Sequence, residues 1–303
     1  MNNKMKATAA IMLMVFFVLG CTKPENPGNS GNDSGGNEIN APVGAIKGMF
    51  SVSSNKQVFF SKGNLQFQAS TNTWRFADNQ FDYIGIENAN ISSNYDGWID
   101  LFGWGTSGYN HGAHCYQPWS ISNIAEDYYP YGESNYYNLY DQSGLADWGC
   151  NAISNGGNTA STWRTLTQSE WNYVFNVRNT ISGVRYAKAI VSGVNGVIIL
   201  PDNWTTSMYQ FANVNESSSF DSNIISITDW DNSIQKYGAV FLPAGGYRHG
   251  TSVNIISGDY WSSTHNGERE ACELWFTNNK LKTDFGGFRY YGLAVRLVQN
   301  AVN

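Results

Sequence analysis

The sequence predicts an α+β fold that consists of short antiparallel strands, few helices and long loops. Of the 303 residues, 15% are aromatic and only 14% are charged, whereas soluble domains average roughly 25% charged residues. The 31 glycines are spread along the chain, which favours many turns. Aromatic side chains therefore have to supply much of the buried area, and the composition fits neither a disordered chain nor a long coiled coil.

Short apolar or alternating runs predict the strands. Four of these runs come early in the folded part, and five more follow later, each bounded by Gly, Asn or Pro. Residues 88–158 are instead rich in Tyr and Gly and poor in aliphatic residues, so we expect long loops held by aromatic side chains. The predicted strands are residues 48–53, 57–61, 64–68, 73–76, 196–201, 239–244, 259–264, 273–276 and 292–298.

One helix is predicted to begin after Thr167. Thr167 and Glu170 have the spacing of a capping box, in which each side chain accepts a hydrogen bond from the backbone N–H of the other residue. Trp171, Val174 and Phe175 then follow at helical spacing. The two signals together locate both the start of the helix and its buried face.

The N-terminus has the pattern of a lipoprotein signal. Lys4 and Lys6 precede an apolar run that stops at Cys21. The run ends in Val-Leu-Gly-Cys, which resembles the lipobox of bacterial lipoproteins, so we predict a signal peptide over residues 1–20 and lipid on Cys21. An ordinary cleaved signal is the alternative. The run is too short for a spanning helix, which needs about 20 apolar residues.

Two further segments complete the predicted organisation. Residues 21–44 are rich in Pro, Gly, Asn and Ser and have almost no apolar side chains to bury, so we predict a flexible tether. Residues 45–303 contain no internal repeat and no second linker, so we predict a single domain. Lipid on Cys21 implies a location in the cell envelope, and we predict the outer membrane, with exposure at the cell surface left open. We expect the protein to contact the membrane through this lipid anchor only.

The charge balance argues against a nucleic-acid partner. The whole chain has a formal net charge of −6, with 18 basic and 24 acidic residues. Removal of the predicted signal peptide takes away Lys4 and Lys6 and no acidic residue, so the acidic excess increases. Proteins that bind nucleic acid through phosphate contacts carry basic patches, which this sequence does not predict.

The cysteines and histidines do not predict a metal or a cofactor. Beyond Cys21 the thiols are Cys115, Cys150 and Cys272, an odd set that allows one internal disulfide at most and leaves a Cys115–Cys150 bond open. His111 and His114 precede Cys115 directly, and zinc binds both residue types. However, a glycine-containing loop does not fix the two histidines on one face, and no second ligand pair follows at a standard spacing.

Four motifs follow one another through the second half of the chain. They are Trp163-Arg-Thr-Leu-Thr-Gln-Ser-Glu-Trp-Asn-Tyr-Val, Leu242-Pro-Ala-Gly-Gly-Tyr-Arg, Tyr260-Trp-Ser-Ser-Thr and Arg289-Tyr-Tyr-Gly-Leu-Ala-Val-Arg-Leu-Val. The first resembles the Arg-Leu-Pro-Thr-x-x-Glu-Trp-Glu-Tyr-Ala signature of the formylglycine-generating-enzyme type of C-type lectin-like domain, also called sulfatase-modifying-factor-like. Thr165 and Leu166 depart from its Leu-Pro. The other three are similar to FISUMP-type domains in lipoproteins of gut anaerobes.

The resemblance implies a C-type lectin-like fold, which hosts an oxidase, carbohydrate binders and hypervariable receptors. The oxidase relatives hold copper through two nearby thiols, whereas only Cys272 lies in the corresponding region of this chain. One thiol cannot form the two-thiolate site that selects Cu(I). We therefore predict that the protein is not an enzyme and needs no cofactor.

Calcium is the one cofactor alternative that the resemblance raises, because sugar-binding C-type lectins bind it. Asp229, Asp231 and Asn232 lie beside a tryptophan and offer oxygen ligands that suit a hard cation. The predicted domain lacks the Glu-Pro-Asn motif of those lectins. We therefore favour an ordinary solvated acidic turn at these residues.

The resemblance also implies that the ligand-facing surface lies near the C-terminus. Residues 265–291 mix framework positions with aromatic, charged and amide side chains of the kind that recognition surfaces use. In some relatives a diversity-generating retroelement varies this region, and the sequence leaves that question open here. The predicted ligand-binding residues are His265, Asn266, Arg269, Asp284, Phe285, Phe288, Tyr290 and Tyr291.

These observations predict an envelope-anchored lipoprotein that acts as a receptor or adhesin and binds a glycan or a protein. The alternatives are an oxidoreductase of the formylglycine-generating type and a structural protein of the envelope. The resemblance covers nearly the whole predicted domain, because Phe59-Phe-Ser-Lys-Gly-Asn-Leu-Gln-Phe and Gly97-Trp-Ile-Asp-Leu-Phe-Gly-Trp-Gly are similar to the leading part of the same lipoproteins.

The lipid anchor gives the first testable prediction. Cys21→Ala removes the thiol that would carry the acyl chains, so the variant should incorporate no labelled fatty acid and should move from the membrane to the soluble fraction. Cys272→Ser is the matched control and should remain acylated. A Cys21→Ala variant that still carries label and still sediments with membranes would contradict the anchor.

Overall fold

The strands of this protein are short and come from every part of the described chain. The computed structural model describes residues 40–135 and 137–302, so the predicted signal peptide, Cys21 and most of the predicted tether lie outside the described residues. The strands in the described part are, in chain order, β1 (Phe50–Ser53), β2 (Lys56–Phe60), β3 (Leu65–Gln68), β4 (Thr73–Phe76), β5 (Trp98–Ile99), β6 (Arg164–Thr165), β7 (Tyr186–Val191), β8 (Val194–Ile199), β9 (Ile224–Ile225), β10 (Val240–Pro243), β11 (Tyr247–His249), β12 (Ser252–Asn254), β13 (Gly258–Asn266), β14 (Glu270–Thr277), β15 (Lys280–Phe288), β16 (Tyr291–Gly292) and β17 (Leu297–Asn300).

The helices are few and short. The α-helices α1 (Gln168–Asn172) and α2 (Ile227–Asp229) each continue into one π-helical segment, Tyr173–Val177 and Trp230–Ile234 respectively. Short 3₁₀-helical segments of three to six residues occur elsewhere in the described chain. They are Gly85–Asn90, Ala125–Tyr128, Pro130–Gly132, Trp148–Cys150, Phe220–Ser222 and Gln235–Tyr237.

The strands form five small sheets. Their strand orders are β1-β2-β17-β6, β10-β8-β7-β9, β12-β11-β16, β13-β14-β15 and β4-β3-β5. Neighbouring strands in these sheets are antiparallel except β7 and β9, which are parallel. The prediction of an α+β protein with short antiparallel strands and few helices is therefore confirmed. The described residues belong to one compact unit.

The first sheet joins distant parts of the chain. Strand β17 lies between β2 and β6, with Val298 opposite Phe60 and Leu297 opposite Thr165. The early, middle and last segments of the described chain thus meet in four strands. Such long-range pairing cannot form until the whole domain has been synthesised, which favours cooperative folding.

Tryptophans are the largest of the fully buried side chains. Three apolar clusters fill the space between the sheets, and the largest of them contains residues from β1, β2, β8 and β10 together with α1. Complete burial of so many indole rings confirms that aromatic residues supply the core of this weakly charged chain. The fully buried tryptophans are Trp104, Trp148, Trp171, Trp204, Trp230 and Trp261.

The capping box predicted at Thr167 is confirmed. The Thr167 Oγ1 accepts a hydrogen bond from the Glu170 N–H at 3.2 Å, and the Glu170 Oε2 accepts one from the Thr167 N–H at 3.0 Å. Glu170 also receives two hydrogen bonds from Arg164, at 2.6 and 2.8 Å, and one from Lys56 at 3.0 Å. These donors hold the pKa of the Glu170 carboxyl below its usual value even though burial opposes them.

The expectation of long loops over residues 88–158 is also confirmed. This region contains β5 and a few 3₁₀ turns among its described residues. Buried aromatic side chains attach it to the rest of the fold, for example Trp104, whose Nε1 donates to the Ser262 carbonyl at 2.9 Å. In the opposite direction, the Trp261 Nε1 donates to the Phe102 carbonyl at 2.7 Å. This reciprocal pair fixes the loop against β13.

The predicted strand over residues 292–298 is wrong in one respect, because the structure divides it into β16 and β17. Between them the chain changes partners. Leu293 exchanges backbone hydrogen bonds with Phe102 at 2.9 and 3.0 Å, and Ala294 then donates to the Asp259 carbonyl at 3.0 Å. The continuous apolar run reflects burial on all sides of a crossing segment rather than one uninterrupted ladder.

Trp261 gives a prediction about stability. Its side chain is fully buried and its Nε1 has a carbonyl partner, so Trp261→Ala should lower the free energy of unfolding by about 3 to 5 kcal/mol through the cavity that it leaves. Phe285→Ala is the control, since that ring is 37% exposed. Chemical denaturation measures both values, and a Trp261→Ala loss no larger than the control's would contradict this role.

Candidate ligand-binding site

The sheet β13-β14-β15 positions most of the residues that the sequence singled out. Its register pairs Asn266 with Glu270 at one end and Glu270 with Phe288 on the next strand. The β13–β14 turn and the chain that leaves β15 therefore come to the same end of the sheet. This end carries the charged and aromatic side chains described below.

A surface groove of about 290 Å³ lies at this end of the sheet. One side is formed by Arg269, Phe288 and Tyr290, and the other by residues 123–126. The Arg269 Nε donates to the Glu126 Oε1 at 3.1 Å, and the Arg269 side chain is 66% exposed. An acidic and a basic group thus face each other across the groove while most of their hydrogen-bonding capacity remains available.

The aromatic side of the groove is a packed cluster of rings. Phe288 and Tyr290 stack in parallel with their centroids 5.2 Å apart, and Tyr291 meets both of them edge-on at 5.8 and 5.0 Å. His249 lies 5.4 Å from Tyr290, and Tyr247 lies 5.4 Å from Tyr291. Because each ring restricts its neighbours, little side-chain entropy is left to lose when a ligand binds.

Arg289 fixes the backbone beneath the groove. Its guanidinium is buried, with its carbon 4.7 Å from the centre of the Trp104 ring. It donates to the Gly267 carbonyl at 3.1 Å and to the Glu270 carbonyl at 3.3 Å. These contacts attach the β13–β14 turn, and with it Arg269, to the loop that Trp104 anchors.

A buried carboxyl group lies behind the aromatic cluster. Glu273 is 3% exposed, and a β-carbon added at Gly287 would lie 3.0 Å from its Oε2. A larger residue at this position would therefore have to displace the Glu273 side chain slightly. Burial, together with the neighbouring Asp259 and Glu270 carboxyl groups, raises the pKa of Glu273 well above its ordinary value.

The other predicted residues lie away from the groove. Phe285 stacks on Trp275 with ring centroids 4.8 Å apart, and the Lys282 Nζ lies 5.4 Å from the centre of the Phe285 ring. Asp284 is exposed on the same strand. These side chains form a second surface on β14 and β15, which we call the strand surface.

His265 and Asn266 belong to the β13–β14 hairpin rather than to the wall of the groove. The Asn266 Nδ2 donates to the Glu270 Oε2 at 3.0 Å, and the backbone N–H of His265 donates to Asn138. Burial lowers the pKa of the His265 imidazole, and the nearby Arg289 lowers it further. Both residues therefore shape the hairpin, and the eight predicted residues do not form one continuous site.

Sequence reasoning missed the other wall of the groove. Asn123, Ile124, Ala125 and Glu126 come from a loop with no motif. They approach Arg269, Phe288 and Tyr290, which lie more than a hundred residues further along the chain. The one local signal was Ile124, an apolar residue in a polar loop that the structure leaves 52% exposed.

The three described cysteines are free, so no bond joins Cys115 to Cys150. Asp229, Asp231 and Asn232 are exposed on the helical turns that begin with α2, and the Asp229 carboxylate accepts a hydrogen bond from the capping Ser226 hydroxyl at 2.8 Å. The solvated acidic turn stays the prediction at these residues, with calcium as its alternative. Among the described residues, one cluster of potential metal ligands brings together His114, Cys115 and Asp127.

No known family model, curated protein or solved structure matches the chain. Within the described residues, none of the helices has the length and apolar character needed to cross a membrane. The geometry of the groove is therefore the main guide to function.

The buried carboxyl group predicts a pH effect on stability. Folding raises the pKa of Glu273 above 4.5, so the folded protein resists ionisation of this carboxyl group. The contribution of Glu273 to the free energy of unfolding is therefore most favourable below pH 4.5 and is lost as the pH rises. Glu273→Gln has no carboxyl group to ionise at this buried position. The variant should therefore match the original protein in Tm near pH 4 and exceed it at pH 8. The exposed Glu216 provides the control, Glu216→Gln, which should show no such trend; a constant difference across the pH range for Glu273→Gln would contradict the assignment.

Proposed function

We propose that this protein is a ligand-binding domain that recognises a glycan in the groove between Arg269, Phe288, Tyr290 and residues 123–126. The observation that carries the proposal is the stacked Phe288–Tyr290 pair beside the Arg269–Glu126 ion pair. Small-ligand sites combine apolar ring surface with a few convergent polar groups in this way.

The chemistry of the groove suits a sugar. Ring carbons of a pyranose present C–H groups that pack against aromatic faces, and its hydroxyls both donate and accept hydrogen bonds. Arg269 supplies several N–H donors and Glu126 supplies carboxylate acceptors, although the two share a single 3.1 Å contact. The net acidic chain and this lone exposed arginine are less suited to a strongly anionic ligand.

The wider context of the proposal comes from the sequence. The motifs at Trp163, Leu242, Tyr260 and Arg289 resemble those of C-type lectin-like lipoproteins, and the described mixture of short antiparallel strands with long loops is compatible with that fold. The Leu-Gly-Cys21 motif supports a lipid anchor in the cell envelope. We therefore propose a receptor or adhesin that presents its groove from the membrane surface.

The environment of Cys272 supports binding rather than oxidase chemistry. Burial and the neighbouring Asp284 and Glu270 carboxylates raise the pKa of the Cys272 thiol to about 11. Its Sγ lies 3.7 Å from the His265 carbonyl, in the geometry of a thiol that donates a weak hydrogen bond. Thiol redox chemistry needs a reactive thiolate, and this site disfavours one.

A protein ligand is the second candidate, and the strand surface favours it. The stacked Trp275 and Phe285, with Lys282 above the Phe285 ring, form an open apolar and basic area on β14 and β15. Aromatic residues beside a basic side chain are common at the centres of protein interfaces. The two candidates use different residues, so a variant of each surface distinguishes them.

The test starts with a glycan array and with envelope proteins, both probed with the chain from Thr22 onward. We expect a glycan to bind, and Phe288→Ala or Tyr290→Ala to weaken it about thirtyfold, which corresponds to ~2 kcal/mol, with little change in Tm. Phe285→Ala is the matched control on the strand surface and should bind normally.

Three results would contradict the glycan groove. The first is unchanged affinity in both groove variants, and the second is a loss of binding that is confined to Phe285→Ala. The third is capture of an envelope protein without any glycan signal, combined with sensitivity to Phe285→Ala, which would support the strand surface instead.

A further inference from the structure

We propose that His114, Cys115 and Asp127 bind a zinc ion that clips the loop beside the groove. In the described residues, one ligand atom from each of these side chains lies within 4.8 Å of the other two. Zinc is held at about 2.0 to 2.3 Å by nitrogen, oxygen and sulfur ligands in a tetrahedron, which places the ligands roughly 3.3 to 3.8 Å apart. To reach that geometry, the side chains have to rotate so that the three ligand atoms approach one another.

The backbone already holds the two halves of the site together. The Cys115 N–H donates to the Asp127 carbonyl at 2.7 Å, so the thiol and the carboxylate are carried on hydrogen-bonded segments. The His114 Nδ1 lies 3.0 Å from the Asp127 Oδ1, and the His114 side chain is 80% exposed. The imidazole can therefore rotate onto a metal without repacking the interior.

A hydrogen bond from a third side chain orients the carboxylate. The Ser122 hydroxyl donates to the Asp127 Oδ2 at 2.5 Å, which leaves the Oδ1 directed towards His114. The Tyr128 hydroxyl in turn donates to the Ser122 carbonyl at 3.0 Å. Metal sites commonly use such outer partners to fix the orientation of a ligand.

The donor set selects the metal. One imidazole nitrogen, one thiolate and one carboxylate are a mixed set of intermediate softness, which zinc accepts and which calcium, with its six to eight oxygen ligands, does not. Three protein ligands leave the fourth position of the tetrahedron to water. When zinc binds, the Cys115 thiol releases its proton to solvent and its sulfur bonds to the metal.

His111, which the sequence placed beside His114, does not belong to the site. Its Nε2 donates to the Gly105 carbonyl at 2.9 Å, and its Nδ1 accepts from the Tyr131 N–H at 3.2 Å. Both ring nitrogens are therefore engaged in holding the loop. Asp127, twelve residues beyond Cys115, replaces it as the third ligand.

The position of the site suggests what the metal does. Asp127 lies in the 3₁₀ turn Ala125–Tyr128, next to Glu126, whose carboxylate contacts Arg269 in the groove. The described residues between β5 and β6 form no strand of their own. A zinc ion would close a short loop and stabilise one wall of the groove. This inference does not rest on the proposed function, because metal binding is measured without the groove's ligand.

The experiment titrates metal into the chain from Thr22 onward after treatment with a chelator. Cobalt(II) alone should produce thiolate-to-cobalt charge-transfer absorption and intense tetrahedral bands at one equivalent, and zinc(II) should displace it. Saturating zinc should raise the Tm by about 5 °C. Cys115→Ser should abolish the charge-transfer band and weaken zinc binding by more than about tenfold.

Matched variants keep the test decisive. Cys272→Ser removes another half-buried thiol and should behave as the original protein does, whereas His114→Ala changes an exposed side chain that cannot disrupt the core and should weaken zinc binding. The proposal would be overturned if the charge-transfer band survived Cys115→Ser or disappeared in Cys272→Ser. It would also be overturned if His114→Ala left zinc binding unaffected, or if the original chain bound no metal.

Discussion

The groove depends on a reciprocal pair of hydrogen bonds between two buried tryptophans and two backbone carbonyls. Trp104 donates to the Ser262 carbonyl and Trp261 to the Phe102 carbonyl, so a long loop and strand β13 fix each other. The Trp104 N–H also donates to the Arg289 carbonyl at 2.9 Å, and the Arg289 N–H donates to the Arg269 carbonyl at 3.1 Å. A continuous chain of contacts thus runs from the core to the groove.

This arrangement explains how a weakly charged, loop-rich chain can hold a defined surface. Indole rings bury large apolar areas and also satisfy backbone carbonyls that no ladder reaches. The buried Arg289 does the same for the β13–β14 turn, where it donates to two carbonyls. Phe288 and Tyr290 can then remain half-buried and ordered at the surface without being part of the core.

Local patterns in the sequence predicted what local physics determines. The capping box at Thr167 and most of the predicted strands are present in the structure, although β7 and β15 were not predicted. The groove could be predicted only in half, because Arg269, Phe288 and Tyr290 lie within one segment while Glu126 reaches them through tertiary packing. The same limit applies to Asp127, which no spacing rule connects to His114 and Cys115.

The buried tryptophan pair holds the groove in its binding shape, and hydrogen exchange in Trp104→Phe tests that claim. Loss of the Trp104 indole donor should speed exchange at the Arg289 amide, whose acceptor is the Arg269 carbonyl, and should leave exchange at Val240 in β10 unchanged. Equal acceleration at both amides would indicate only a global loss of stability. Unchanged exchange at Arg289 would contradict the claim.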